Sequence, residues 1–156
     1  MKIRFFSIYI LLAIFLVSGC KTGKPACITQ KNENLKIRWG MHNYKTNDIR
    51  GYMLNTNSEL FMIYKDSLST GYSDSLIGKF DPEEFCKILR VFEKNIMKIQ
   101  TLNEPAEFSR FIEYDNPVEN MFVRAVWNSK FKTVSSEGFR RLYDSLEARL
   151  PQNKKR

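Results

Sequence analysis

The first part of the chain alternates hydrophobic and polar residues with a period of two. LKIRW, residues 35–39, has this pattern, which is typical of a strand with one buried face. GYMLNTNSELFMIYK, residues 51–65, predicts two strands joined by a turn at residues 55–58, and the short LIGKF, residues 76–80, predicts a fourth strand. We therefore expect this part of the chain to be all-β.

The pattern changes to helical spacing at Asp81. Asp81 is suited to the N-cap, Pro82 to the first helical position, and Glu84 follows three residues after the cap. Apolar residues then recur at helical spacing, which predicts a helix to about residue 100: Phe85, Ile88, Leu89, Phe92, Ile96 and Ile99.

A second hairpin and a final helix follow. FSRFIEY and MFVRAVWN both alternate around Asp115, Asn116 and Pro117, which places a turn near Pro117. Ser135 or Ser136 is suited to cap the last helix, whose apolar stripe comprises Phe139, Leu142, Tyr143, Leu146 and Leu150.

The order of elements indicates the fold class. Each predicted helix is apolar on one side only, so both can bury that side against the same face of a sheet. We predict an α+β protein, a two-layer sandwich of a mostly antiparallel sheet with two amphipathic helices on one face. The domain should span residues 35–151, and residues 152–156 form a basic tail.

The amino-terminal residues indicate export. Lys2 and Arg4 precede an apolar run over residues 5–17. Thirteen residues form a helix of roughly 20 Å, whereas a bilayer core is about 30 Å thick. The run is therefore too short to span a membrane well, and residues 1–19 are predicted to be a signal peptide that is removed.

LVSGC, residues 16–20, resembles the lipobox of bacterial lipoproteins, an apolar residue and small residues before a cysteine. The resemblance implies cleavage before Cys20 by signal peptidase II, diacylglycerol on its sulfur and a third acyl chain, such as palmitate, on the new amino terminus. Two or three chains anchor a protein stably. Lys21 stands where some lipoproteins carry an inner-membrane retention Asp, which favours the outer membrane of the cell envelope. Residues 20–34 are predicted to be a flexible spacer.

The charge of the mature chain limits the classes of binding partner. Without the two basic residues of the signal peptide, 23 basic residues remain of 25, against 17 acidic ones, a net charge of +6. Export argues against a nucleic-acid partner. Four basic residues fall on one side of the first predicted helix and form a basic stripe that suits anionic lipid: Lys87, Arg90, Lys94 and Lys98. A merely solvated helix face is the alternative.

Two further cysteines remain once Cys20 carries lipid. Export places Cys27 and Cys86 in an oxidising compartment, where they can form a disulfide. In the alternative, Cys86 is a small buried hydrophobe and Cys27 is free. The sequence leaves both possibilities open.

Candidate catalytic residues are few. His42 is the only histidine and is expected at a strand end or in a turn. No hydrolase or zinc motif accompanies it, so neither a metal nor another cofactor is predicted. Glu113, Asp115 and Glu119 gather around the second hairpin, where paired carboxylates can serve hydrolysis or bind calcium. Hairpin tips are, however, often acidic simply because they are solvated.

These observations predict a non-enzymatic binding or accessory module tethered in the envelope, with another envelope protein or an anionic lipid surface as its partner. The alternatives are a hydrolase of envelope polymers that uses the acidic hairpin, or an inhibitor or immunity-type protein. Strand aromatics that face outward would form a ligand surface, whereas the other interpretation places them in the core: Trp39, Tyr52, Tyr64, Phe122 and Trp127.

Overall fold

A computed structural model of the chain describes residues 24–151. It contains six strands, two α-helices and one short 3-10 helix, in the order β1 (Lys36–Asn43), β2 (Asp48–Asn55), β3 (Glu59–Lys65), β4 (Ser73–Lys79), α1 (Pro82–Ile99), β5 (Phe108–Asn116), the 3-10 helix (Pro117–Glu119), β6 (Met121–Asn128) and α2 (Glu137–Glu147). The predicted signal peptide, Cys20 and the tail at 152–156 lie outside the described residues.

The six strands form one sheet in the order β4-β3-β2-β1-β5-β6, and every neighbouring pair is antiparallel. The apolar sides of both helices join one core with the sheet residues that face them, among them Ile37, Trp39, Ile112 and Ala125. The predicted α+β two-layer sandwich is confirmed. In the described part of the chain, no helix is long and apolar enough to cross a membrane.

Helix α1 begins as its sequence predicts. The Asp81 side chain accepts a hydrogen bond from the Glu83 backbone N–H at 2.8 Å, which satisfies one of the N–H groups that a helix start leaves without a partner. All six residues of the predicted apolar stripe are buried. The helix ends at Ile99, next to the predicted boundary.

Helix α2 begins differently from the prediction. Ser136 occupies the N-cap position, but its hydroxyl makes no capping bond to the helix. The hydroxyl donates instead to the Thr133 carbonyl at 2.9 Å and accepts from the Thr133 N–H at 3.1 Å, so it closes the preceding turn. The predicted apolar stripe of this helix is buried as expected.

The strands are longer than their apolar patterns predict. β1 continues to Asn43, β2 begins at Asp48 and β4 begins at Ser73, where the residues are mostly polar. Backbone pairing with a neighbouring strand continues through these residues whether or not their side chains alternate, because the ladder bonds the main chain.

Residues 25–34 pack against the domain, although we predicted a flexible spacer over residues 20–34. Cys27 is bonded to Cys86, with 5.6 Å between the Cα atoms. Thr56 Oγ1 donates to the Glu33 carbonyl at 2.8 Å, and Asn116 Nδ2 donates to the carbonyl of Lys31 at 3.1 Å. These bonds reach polar groups far away in sequence, so the composition of the segment alone does not reveal them.

Two glycines face each other across β1 and β2. Gly40 pairs with Gly51 in the register. A Cβ on Gly40 would lie 2.2 Å from the Arg50 carbonyl oxygen, and one on Gly51 would lie 2.1 Å from the Trp39 carbonyl oxygen. Only glycine fits where the two backbones come this close.

Candidate functional site

The helices leave part of their sheet face uncovered, and this part forms a groove of about 880 Å³. Strands β1 to β5 contribute its floor, and Tyr143 and Glu147 of α2 contribute to its wall. Clefts of this size are typical of ligand sites in proteins. We call it the α2 groove.

The floor of the α2 groove is apolar and accessible. Met41, Met62 and Phe108 are 49%, 51% and 50% exposed, and Tyr64 is also exposed. Methionine adapts its shape to different surfaces, and aromatic rings bury large areas at interfaces. The groove therefore has the composition of a contact surface.

Strand register brings the floor residues together. Met41 pairs with Arg50, and Arg50 pairs with Tyr64 on the next strand, so these three side chains form a row on the helix side of the sheet. Tyr52 and Met62 pair in the adjacent row. Directly opposed residues point to the same face, which explains why residues from three strands meet here.

Specific contacts hold the wall of the groove. Trp39 Nε1 donates to Glu147 Oε1 at 3.0 Å, which ties α2 to β1. The Trp39 and Tyr52 rings lie 5.6 Å apart, and the Arg50 guanidinium lies 5.5 Å from the centre of the Tyr64 ring. These contacts fix aromatic and charged groups in place beside the exposed methionines.

The two tyrosines beside Glu147 stay protonated. Burial raises the pKa of Tyr52, and the negative charge of Glu147 raises it further. Burial and Glu147 likewise raise the pKa of Tyr143, partly offset by the positive charge of Arg110. The groove thus presents neutral phenol groups at physiological pH, together with the carboxylate of Asp48.

The opposite face of the sheet holds a network of paired charges around Glu113. Glu113 is 3% exposed and lies 2.6 Å from Arg124 and 3.4 Å from Arg38. Arg38 also contacts Asp115 at 3.1 Å, and its guanidinium lies 5.3 Å from the Tyr72 ring centre. A buried carboxylate needs such partners, because an unpaired buried charge is strongly unfavourable.

His42 belongs to the same network. It lies near the end of β1, as predicted, but it is buried. Its Nδ1 lies 3.0 Å from Nη2 of Arg124, and its Nε2 lies 3.1 Å from Oδ1 of Asn47. A guanidinium only donates, so Nδ1 accepts and Nε2 carries the proton. Burial lowers the pKa of His42, and the charge of Arg124 adds to this effect, while the Asn47 bond opposes it.

The three acidic residues of the second hairpin do not form a carboxylate pair across a cleft. Glu113 and Asp115 share Arg38, and Glu119 Oε2 accepts from Asn116 Nδ2 at 3.3 Å. None of the three lines the α2 groove. Among residues 24–151, moreover, no cluster of three or more His, Cys, Asp or Glu side chains is suited to hold a metal ion.

The five strand aromatics divide between core and surface. Trp39 and Trp127 are buried, whereas Tyr52 and Tyr64 line the α2 groove. Phe122 is exposed on the opposite face, since it pairs with Asp115 on the side of the charge network. Only two of the five candidates therefore share a possible ligand surface.

Sequence reasoning did not identify Met41, Arg50, Phe108 or Glu147 as groove residues. Alternation places Met62 and Tyr64 on one face of β3, which is a usable signal. The other groove residues meet because of which strands are neighbours and where α2 ends. The hydrophobic pattern of a single strand carries no information on either point.

Comparison with models of known protein families and with curated proteins found no match for this chain.

Proposed function

We propose that the protein is a lipid-anchored, non-enzymatic binding module of the bacterial envelope and that the α2 groove is its ligand site. The observation that carries the proposal is the exposed apolar floor of the groove, formed by Met41, Met62, Tyr64 and Phe108 on a sheet face that is otherwise covered by helices. Exposed apolar clusters of this kind are typical of interaction sites.

The anchor in this proposal is supported by the lipobox-like LVSGC and the charged, apolar segment before it. Acylated Cys20 would hold the mature protein at the membrane surface, with the outer membrane favoured. The net charge of +6 after cleavage and the absence of a nucleic-acid motif agree with a role in the envelope.

The groove favours an extended apolar segment of another envelope protein as ligand. Strand β4 lies at the edge of the sheet, and its Ser73 and Ser75 line the groove. A segment paired alongside β4 would direct alternate side chains towards Met62 and Tyr64, a common mode of peptide recognition. An inhibitor or immunity-type protein would use the same surface, and the identity of the captured protein distinguishes the two.

An envelope polymer hydrolase is the less favoured alternative. It was expected to use Glu113, Asp115 and Glu119, but arginines or an asparagine contact these carboxylates away from the groove. Among the carboxylates that do line the groove, Glu147 accepts a hydrogen bond from Trp39. This bond favours a structural role for Glu147 over proton transfer.

Dye binding tests the groove directly. An apolar dye such as anilinonaphthalene sulfonate should fluoresce on the purified protein, and Met62→Glu should reduce this signal because it puts a charge on the floor. Leu76→Glu is the matched control, since Leu76 is also exposed on neighbouring β4 but belongs to the row of Phe61 on the other face. An equal loss in both variants, or no loss in Met62→Glu, would contradict the assignment.

Acyl labelling tests the anchor separately. Wild-type protein in bacteria fed a palmitate analogue should carry the label and sediment with membranes. Cys20→Ser removes the acceptor sulfur, so the label should be lost and the protein should be left uncleaved or soluble. A labelled, membrane-bound Cys20→Ser protein would show that the lipobox interpretation is wrong.

A further inference from the structure

The outer side of helix α1 carries a concentrated positive charge. The four residues of the basic stripe are all exposed: Lys87, Arg90, Lys94 and Lys98. At 100° per residue they lie opposite the buried stripe of the helix. Val91 and Met97 flank them and are also exposed. This combination of cations with apolar neighbours is typical of helices that lie on a membrane surface.

Few carboxylates pair with these cations, although the exposed Glu83 lies on the same side of α1. Glu84 contacts both Lys87, at 3.9 Å, and Arg149 of the α2 region, at 3.2 Å. The Glu93 carboxylate turns towards the sheet and accepts from the Tyr114 hydroxyl at 3.4 Å. Within the described residues, no carboxylate lies at ion-pair distance from Arg90, Lys94 or Lys98.

The disulfide places the start of the domain beside this helix. Cys86, in the first turns of α1, is bonded to Cys27, and Lys87 is the next residue along the helix. Cys27 follows Cys20 by seven residues. Seven residues span at most about 25 Å when fully extended. Helix α1, with 18 residues at 1.5 Å each, is itself about 27 Å long.

We infer that the outer face of α1 docks on the anionic headgroups of the membrane that holds the lipid anchor. The inference rests on the proposed anchoring at Cys20, because the short tether keeps the first turns of α1 within about 25 Å of the bilayer. The domain then stands on α1, with the sheet on the far side of the helices from the membrane. Charge complementarity selects this occupant over a neutral surface.

Orientation on vesicles tests the inference with the whole lipoprotein. The protein, purified in detergent, is reconstituted into vesicles of phosphatidylcholine alone or mixed with phosphatidylglycerol, in both cases with brominated acyl chains. Met97→Trp places a reporter indole beside the basic stripe. The native Trp39 and Trp127 are only 1% and 3% exposed and contribute little quenching. Leu76→Trp, at a position that is exposed on the sheet face opposite the helices, is the control reporter.

The inference predicts quenching of the reporter at position 97 in phosphatidylglycerol vesicles and much less at position 76. High salt should release the helix from the vesicle surface and reduce the quenching, because mobile ions screen exposed charges. Lys94→Gln with Lys98→Gln should lower the ratio of docked to undocked protein about 25-fold, at about five-fold for each charge. Lys130→Gln with Lys132→Gln removes the same charge from a loop between β6 and α2 and should change little.

Two different failures are distinguishable. Flotation with the vesicles reports the anchor, whereas quenching reports the docked helix. Protein that floats but shows no quenching at position 97, or quenching that ignores lipid charge, salt and the Lys94→Gln, Lys98→Gln pair, overturns the docking inference and leaves the anchor intact. Protein that does not float with the vesicles overturns the proposal of a lipid anchor. The docking inference then falls too, because its geometry depends on the anchor.

Discussion

One face of the sheet is divided into two parts with similar side chains and different surroundings. Under the helices, Ile37 and Trp39 of β1 are fully buried, whereas Met41, two residues further along the same strand and face, is 49% exposed. The alternation of residues along the strand is the same in both parts, and the parts differ only in whether a helix covers them. Apolar side chains left without a cover are costly for solubility, which is why we interpret the open part as a binding surface.

The largest expected difference between the two parts is in stability. Phe92→Ala removes a ring that is fully buried against Tyr114 and should lower the free energy of unfolding by about 3–5 kcal/mol. Met62→Ala in the open part should change it by only about 0.5 kcal/mol. Urea unfolding of both variants measures this. A loss of similar size for Met62→Ala would show that the groove floor is part of the core.

Removing the disulfide should have the next largest effect. Cys27→Ser with Cys86→Ser opens a loop with a sequence separation of 59 residues, and the free energy of unfolding should fall by about 2–4 kcal/mol. Dye binding to the α2 groove should persist under native conditions, because the groove residues do not include this segment. Thermal unfolding and dye titration of the same samples measure both. Unchanged stability would contradict a bridged native state.

The glycine pair at the groove should tolerate substitution poorly. Gly40→Ala puts a methyl group against the Arg50 carbonyl and should cost about 1–3 kcal/mol. Gly71→Ala is the control, because a Cβ there meets nothing within 4 Å. Chemical unfolding compares the two variants. Equal stability of both would mean that the strands separate at Gly40 at little cost.

The smallest expected effect is a pH dependence of stability that comes from His42, on the sheet face opposite the helices. Because the folded pKa of His42 is lowered, the folded state binds fewer protons, so this contribution is present above about pH 6.5, the unfolded value, and is lost as pH falls below it. His42→Gln keeps an acceptor for Arg124 and a donor for Asn47 but does not titrate. The urea midpoint should therefore fall more between pH 7.5 and pH 5.5 for the wild type than for His42→Gln. An equal drop in both would contradict the assigned role.

Local signals predict the elements well and their assembly poorly. The Asp81 cap, the six buried residues of α1 and the turn before Glu59 follow from residues close in sequence. The placement of β1 between β2 and β5 does not, because it depends on pairing between residues far apart in sequence, such as Arg38 and Glu113, which are 75 residues apart. The α2 groove arises because helices of these lengths cover only part of a six-stranded sheet, which no segment encodes alone.

Site-specific crosslinking in living bacteria tests the ligand role of the groove most directly. A photoreactive amino acid in place of Met62 should capture a defined envelope protein on illumination, and Tyr64→Ala in the same chain should weaken the capture because it removes a neighbour on the floor. The same photoreactive group in place of Leu76, exposed on the opposite face, should capture nothing comparable. Equal products from both positions, or none from Met62 in membranes that retain the protein, would contradict the proposal that the α2 groove is a binding site.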